Sequence, residues 1–287
     1  MAGASMKDIK LRIKSVESTM QITKAMQLVA TSKLRRARER MEESKPYASI
    51  AQQAMAAVIE DCLDTTIPYV SAREQIKTRL YIIVAGDRGL AGGYNANVFR
   101  AVEAHIKEHP VSSYSVLPIG KKAVDKYAHA ESFTCIDDSF IRVEGISVGT
   151  CYGLAKTLIE GYDDESFDEV VLFYTDFVSA MNQEVRTMQL LPLVREQNVE
   201  VKNAVSTVYE PEPTALLGAI LPDYLAGMLY STICDSFASE VAARRSAMDS
   251  ATKNAGEMIA DLRLEYNRAR QGAITQEITE IVAGANV

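Results

Sequence analysis

Between Ala85 and Asn95 the chain reads AGDRGLAGGYN, with glycines at positions 86, 89, 92 and 93. A glycine-rich turn between a strand and a helix is where backbone N–H groups cradle phosphates, so nucleotide binding is the chemistry to weigh first. The spacing argues against it. Two residues separate Gly86 from Gly89, which breaks GxGxxG, and the stretch has no GK[ST] ending and no following lysine to reach a phosphate. The plainer expectation is a tight turn organised by Asp87 and Arg88, its glycines permitting close packing. A nucleotide-binding enzyme built on this loop stays as a rival reading.

Catalytic constellations are lacking elsewhere. His105 and His109 fall near the end of a predicted helix, where the negative pole favours them. His129 stands alone in a polar helix, and none of the three lies near a serine or cysteine nucleophile motif. Asp137-Asp138 and Asp163-Asp164 sit in loop-like contexts, where solvated carboxylates are the default. Cys62, Cys135, Cys151 and Cys234 are scattered without a CxxC pair, which predicts free thiols in a reducing compartment and no metal site. These residues point to no cofactor and to a chain that is not an enzyme by itself.

Two stretches speak of partners instead. The run Lys33, Arg35, Arg36, Arg38 and Arg40 packs cations onto several faces of one helix. It fits a solvated surface, a DNA-binding basic helix, or an acidic protein collar around the helix. The whole chain carries 31 Lys+Arg against 38 Asp+Glu, a net charge of -7. Residues 1–45 hold eleven Lys/Arg and five Asp/Glu, a surplus of six, so the other 242 residues carry -13 (-7 minus +6). That acidic remainder argues against general affinity for nucleic acid and for one segment meeting an acidic partner; a coiled-coil nucleic-acid-binding protein remains the alternative. The second stretch is ITQEITEIVAGANV, where Ile274, Ile278 and Ile281 follow spacings of four and three with Val282 beside them. On a single helix that outruns its partner this stripe is a binding surface; folded back on the N-terminal helix it is simply buried.

Elements must hold these residues in place. The chain has 287 residues, 47% hydrophobic and 24% charged, an ordinary composition for a folded protein. Its eight prolines lie at 46, 68, 110, 118, 192, 211, 213 and 222, leaving ends rich in Ala, Met, Leu, Lys, Arg, Gln and Glu. Both ends therefore read as long helices, with Pro46 expected to kink or interrupt the first. Met248, Thr252, Ala255, Ile259, Leu262, Tyr266, Ala269 and Ala273 alternate spacings of four and three, a heptad seam. Ile9, Ile13, Val16 and Met20 open the N-terminal segment the same way. Beyond Thr23 the stripe weakens, with Leu28, Leu34 and Met41 as anchors.

The last sixty-odd residues would make a rod of roughly 95 Å at the α-helical rise, which suggests an antiparallel coiled coil of the two chain ends. Between them strands are predicted at 79–86, 114–120, around FTCI, 168–177 and 184–193, the last two close enough for a hairpin. Helices alternate with them at 95–109, across KKAVDKYAHA and across SVGTCYGLAKTLIEGY. The expected fold is α/β, a long antiparallel coiled coil of the terminal helices with an inserted Rossmann-like domain. Its expected parts are a coiled-coil helix over 1–60, a globular domain over 75–210 and a second coiled-coil helix over 212–287. No run of 18 apolar residues predicts a bilayer-spanning helix. The opening MAGASMKDIKLRIK lacks the apolar core of a signal peptide, so a cytoplasmic protein is expected.

Three blocks carry a family resemblance: Ile22-Thr23-Lys24-Ala25-Met26 with the basic stretch after it, Asp87-Arg88-Gly89-Leu90 with Gly92-Gly93, and Ile274-Thr275-Gln276-Glu277 with Glu280 and Gly284-Ala285. In these the chain resembles the gamma subunits of the rotary F-type ATP synthase, over essentially its whole length. Ala91 departs from the cysteine the family often carries, and Asn286-Val287 depart from its small or basic final residue.

The resemblance implies a central rotor shaft that couples proton- or sodium-driven rotation of the c-ring to ATP synthesis or hydrolysis on the beta subunits. The partners implied are the alpha3-beta3 ring, the epsilon subunit and the c-ring, at the cytoplasmic face of a bacterial inner membrane and without bilayer insertion. Carried over by position, Lys24, Met26, Arg35, Arg36, Arg244, Gln271, Thr275 and Glu277 would face the ring. Tyr209 and Glu210 would lie at the junction with epsilon and the c-ring. Ala243, Ala247, Ala251 and Ala255 would keep that stretch of the shaft smooth.

Overall fold

A computed structural model describes residues 6–61, 69–71, 73–193 and 213–285. Its elements are helix α1 (Met6–Asp61), strand β1 (Thr78–Val84), α2 (Tyr94–Glu108), β2 (Ser113–Ile119), α3 (Lys121–Tyr127), β3 (Thr134–Cys135), α4 (Val148–Asp163), β4 (Glu169–Phe177), β5 (Gln183–Leu191) and α5 (Pro213–Ala285). They form two compact units, one of residues 1–32 with 244–287, the other of residues 33–243.

The larger unit is built on a five-stranded sheet in the order β3-β2-β1-β4-β5. β3, β2, β1 and β4 run parallel, and β5 returns antiparallel beside β4. The hairpin expected from the closeness of the last two strands is therefore present. β1 reads TRLYIIV, buried at every position after the first, as a central strand covered on both faces must be. One face is covered by Val98 and Val102 of α2 with Ala123 and Tyr127 of α3, against Tyr81, Ile83 and Phe173. The other meets α4 through Leu154, Ala155 and Leu158, and also the terminal helices, through Met55 and Val58 of α1 and Leu221, Leu225 and Leu229 of α5. The ends of the chain thus supply a layer of the sheet's core.

Two cross-links sharpen the strand register. Arg79 and Glu169 are direct partners across β1 and β4, and the Arg79 Nε donates to the Glu169 carboxylate in a buried pair. At the other end of β1, Gly120 has φ +91, and a Cβ there would stand 2.1 Å from the Ala85 carbonyl oxygen. Only glycine fits where β2 turns toward α3.

The smaller unit is an antiparallel helix pair. Arg263 Nη2 donates to Glu17 at 2.9 Å, Thr23 and Thr252 hydroxyls meet at 2.8 Å, and Gln27 Nε2 donates to Asp249 at 2.8 Å. As residue numbers rise on α1 they fall on α5. The eight seam positions predicted on α5 are all buried or half-buried, with Met248, Ala255, Ile259 and Leu262 the deepest.

The predicted interruption at Pro46 does not occur, because α1 runs through it to Asp61. Pro46 lies on the exposed side, while Met41, Ser44 and Ala48 are buried behind it. The Glu42 carbonyl that loses its helical donor therefore opens toward water, and packing on the opposite side holds the helix. The fading stripe also resolves. Thr23, Gln27, Ala30, Leu34, Ala37, Met41, Ser44 and Ala48 continue the heptad, all buried but half-buried Gln27. Leu34 and Met41 anchor it as expected. Leu28 does not: it falls off the seam and is 65% exposed.

One expectation about hydropathy needs correcting. α5 contains a window apolar enough, by length and composition, to cross a bilayer. Within the structure 56% of that window is buried, the pattern of a helix whose apolar side serves a protein core.

Candidate functional site

The residues implied by the family motifs fall on the two long helices. Thr23, at the centre of the first block, points inward and is spent on the seam through Thr252. That orients its neighbours outward: Ile22 is 58% exposed, Lys24 is exposed and Met26 is half-buried. Leu28 and Val29 are exposed beyond them, so this turn of α1 shows an apolar surface outside its own seam. On α5, Arg244 is half-buried at the start of the helix-pair unit. Asp249 serves both helices, accepting from Gln27 on α1 and pairing with Lys253 at 2.7 Å; that lysine holds its carboxyl below the usual range.

The C-terminal block is solvent-facing. Gln271, Thr275 and Glu277 are exposed, and every side chain described from Ile274 to Gly284 is exposed. Ile274, Ile278, Ile281 and Val282 are 47–71% exposed. The stripe is therefore not folded back on the N-terminal helix; it stands on a single helix. Thr275 donates its hydroxyl to the Gln271 carbonyl at 2.9 Å, and Thr279 does the same to Thr275 at 2.7 Å. Both hydroxyls are satisfied within the helix and leave their methyl groups as the outward surface.

The basic run belongs to the larger unit. Its mutual repulsion is offset by carboxylates one turn on: Arg35 reaches Glu39 at 3.0 Å and Arg38 reaches Glu42 at 3.4 Å. Lys33 pairs with Glu144 at 2.8 Å, and Arg40 turns inward to Tyr230 at 2.9 Å. Arg35 and Arg36 are exposed. Much of the run's charge is thus engaged within the chain, which leaves a weaker cationic face than a nucleic-acid groove binder needs. Tyr209 and Glu210 lie outside the described residues.

The Gly86–Gly93 loop does sit between β1 and α2, as a phosphate loop would, but its inner face is taken. The Gly86 N–H donates to Asn95 Oδ1 at 2.8 Å, and a Cβ on Gly86 would stand 2.8 Å from the Glu240 carboxyl of α5. Asp87 accepts from the Val143 N–H at 2.9 Å, and the Tyr94 hydroxyl donates to the Ser236 carbonyl at 2.9 Å. Burial, and then Glu240, drive the Tyr94 hydroxyl far above its ordinary range. Two carboxylates against the loop oppose a phosphate on Coulomb grounds alone. The loop locks β1 and α2 onto α5.

The histidines are structural too. His105 Nδ1 bonds the buried Tyr81 hydroxyl at 2.9 Å and its ring lies 4.6 Å from that of His109. Burial first, then Arg79 and His109, lower the His105 pKa, so these outweigh the helix pole that the sequence favoured.

Sequence reasoning passed over two buried carboxylates. Asp235 is 6% exposed and faces Lys45 of α1 at 3.1 Å. Burial outweighs that lysine and pushes its carboxyl up to about 6, with Asp176 raising it further and Arg186 opposing. Glu240 is 2% exposed under the glycine loop. Nothing in their local sequence marks them; each is an ordinary polar position on a predicted helix. Arg40 was read as part of the basic run, and its inward turn was not foreseen.

The arrangement defines a class: an antiparallel two-helix coil and a doubly wound α/β unit within one chain, whose motif residues converge on no reacting centre among the described residues. A family model described as ATP synthase matches residues 5–287. The ATP synthase gamma chain of Ruminococcus albus is 47% identical over 281 residues, 97% of this chain and 96% of that one. The gamma chain of Acetobacterium woodii, described as sodium ion specific, is 41% identical and covers 98% of each. Among solved structures, a chain of the central stalk and c-ring of the Tetrahymena thermophila mitochondrial ATP synthase aligns with TM-score 0.59 and 25% identity, over 80% of this chain and 99% of that one. A chain from the Euglena gracilis mitochondrial enzyme in rotational state 3 aligns with TM-score 0.65 over 98% of this chain and 93% of its own, sharing the fold at 17% identity. The chain belongs to the ATP synthase gamma-chain family.

Proposed function

We propose that this protein is the central shaft of a bacterial rotary ATP synthase, turning with a membrane ring of c subunits and coupling that rotation to ATP synthesis or hydrolysis on the beta subunits. The observation that carries the reading is the helix pair itself: its seam is closed by side chains from the two ends of the chain, while the motif residues Lys24, Gln271, Thr275 and Glu277 stand exposed. Exposure of motif residues beside a closed seam is what a contact surface requires.

The mechanism is mechanical. Three chemically identical sites in an alpha3-beta3 ring differ only if something within the ring lacks threefold symmetry. Two unequal helices present a different face to each site and bias each between open and closed. Moving one site from mostly open to mostly closed takes a differential interaction of about 5.5 kcal/mol. Several contacts share it: Met26 with the exposed isoleucines as apolar elements, and Lys24, Arg35, Arg36, Arg244 and Glu277 as charges. Exposed ion pairs are worth only about 0–1 kcal/mol each, so they exchange readily as the shaft turns. Half-buried Ala243, Ala247 and Ala251 on α5 keep its surface from interlocking with the housing, while Ala255 lets the two helices of the seam lie close.

In this reading the chain is non-catalytic, takes no cofactor, and works at the cytoplasmic face of the bacterial inner membrane. The α/β unit grips epsilon and the c-ring, with Tyr209 and Glu210 near that junction. Mixing this chain with alpha and beta subunits should turn a low, transient ATPase into sustained turnover. Reversing charge at Arg244 while removing the Gln271 amide should weaken coupling and leave the helix pair folded. Sustained turnover without the chain, or full ATP-driven rotation in that double variant, would count against the shaft and against the assigned contacts respectively.

A further inference from the structure

Arg40 is the point at which three separate elements of the α/β unit meet one side chain. It lies on α1, its Nε donates to the Tyr230 hydroxyl of α5 at 2.9 Å, and its guanidinium stands 5.1 Å from the centre of the Tyr230 ring. Its two terminal nitrogens donate to the carbonyls of Glu144, at 3.0 Å, and Ile146. Those carbonyls belong to the short 3-10 turn Val143–Gly145 and the residue after it, just before α4. Seven residues earlier on the same side of α1, Lys33 holds the Glu144 carboxylate at 2.8 Å. The turn is tied onward in its turn, since the Val143 N–H donates to Asp87 of the loop after β1.

The packing around this cross-link is smooth by comparison. Ala37, Met41 and Ser44 line the α1 seam, and the Ser44 and Ser231 hydroxyls lie 3.5 Å apart between the helices. Small side chains let two helices lie close, but they interlock little and resist sliding or twisting weakly. A planar guanidinium fixed by several hydrogen bonds on different elements supplies the directional restraint that such packing lacks. Burial works against its charge, yet the Tyr230 hydroxyl and the neighbouring Cys234 hold Arg40 above its ordinary range.

We infer that Arg40 is a torque-coupling positioning residue: it clamps α1 to α5 and to the turn before α4, so that rotation of the α/β unit drives both long helices together. The inference rests on the shaft reading and names the residue through which that reading would act. Without the clamp, α1 keeps its sheet contacts at Met55 and Val58 but loses its directional tie to α5 and to the turn before α4 along the stretch lined by Ala37, Met41 and Ser44. If the two helices share the load as equal parallel springs, losing one completely would halve the stiffness and double the angular variance, so about twofold is the ceiling for an α1 that is loosened and not freed.

The test uses this chain assembled with alpha and beta subunits, the ring held in one nucleotide state by a non-hydrolysable ATP analogue, and a bead attached to a cysteine introduced on exposed α3. The reading is the variance of the bead angle. Arg40→Ala should raise it measurably, by no more than about twofold, and Arg40→Lys, which keeps the charge but loses the planar fork, by less. Tyr230→Phe should fall between wild type and Arg40→Ala. Lys122→Ala, which removes only an exposed pair with Asp125, should match wild type. If Arg40→Ala fails to assemble, Arg40→Lys and Tyr230→Phe decide by the same reading. A lower melting temperature with unchanged variance would make Arg40 merely structural and overturn the proposal. Failure of the wild-type chain to enter the ring would sink the shaft reading itself, a separate result.

Discussion

Leu229 and Leu262 lie on the same helix and are both buried, but by different means. Leu229 is closed over in a core shared with residues of the sheet, α4 and α1. Leu262 is covered by one partner helix, in a seam that also contains Thr252, Tyr266 and Ala269. The α/β unit surrounds its apolar groups, whereas the helix pair shields a single stripe and leaves Ile22, Leu28, Leu264 and Ile278 in solvent. The difference divides the labour. A helix pair that shields a single stripe buries little apolar surface, so its own folding energy is thin.

The sharpest break of this comparison would come from matched truncations. Phe173→Ala empties a fully buried site packed edge-on against Tyr81 and should destabilise the α/β unit by about 3–5 kcal/mol. Ile259→Ala in the helix seam should cost about 2 kcal/mol, the low end for a buried isoleucine, because a surface seam relaxes more readily than a core. Denaturant titration followed by circular dichroism measures both, and equal costs would erase the distinction.

Asp235 sharpens it through pH. Its folded pKa is raised to about 6 from an ordinary 3.8, so between those values the folded state binds the extra proton. Stability of the α/β unit should therefore rise as pH falls from 7 through 6 toward 4, and ionised Asp235 should cost up to about 3 kcal/mol at pH 7. Asp235→Asn should recover part of that at pH 7 and flatten the dependence; denaturation midpoints at pH 5 and 7 test it, and an unchanged slope would refute the assignment.

The smallest effect belongs to the helix pair. Removing both Glu17 and Arg263, an exposed ion pair at 2.9 Å, should change stability by less than about 1 kcal/mol, and less still in high salt. A loss of several kcal/mol would mean that the pair depends on charge as the α/β unit does on its core.

Much of this was legible without coordinates. The run from Arg79 to Val84 is β-branched and aromatic, and it became the central strand; Met248 to Ala273 kept heptad spacing, and it became the seam. Where the reading slipped, side-chain size was the cause. The α1 heptad passes through Gln27, Ala30, Ala37, Ser44 and Ala48, which contribute too little apolar signal to be seen against exposed Leu28 and Val29. The interruption expected at Pro46 did not appear, because a rule for isolated helices ignores the packing that holds one side of α1 in place. Lys24, Gln271, Thr275 and Glu277 were proposed as contacts from the family resemblance; their exposure is a property of the fold.

Periodicity and composition by themselves determined the element types, the helical ends and the unmatched stripe at Ile274, because each depends on spacing within one stretch of chain. The burial of Asp235 and Glu240, the closing of the glycine loop by α5, and the gathering of α1, α5 and the α4 approach onto Arg40 were decided only by tertiary structure. Those partners stand 104 to 190 residues from Arg40 in the chain, and no local pattern encodes which distant surface a polar side chain will meet.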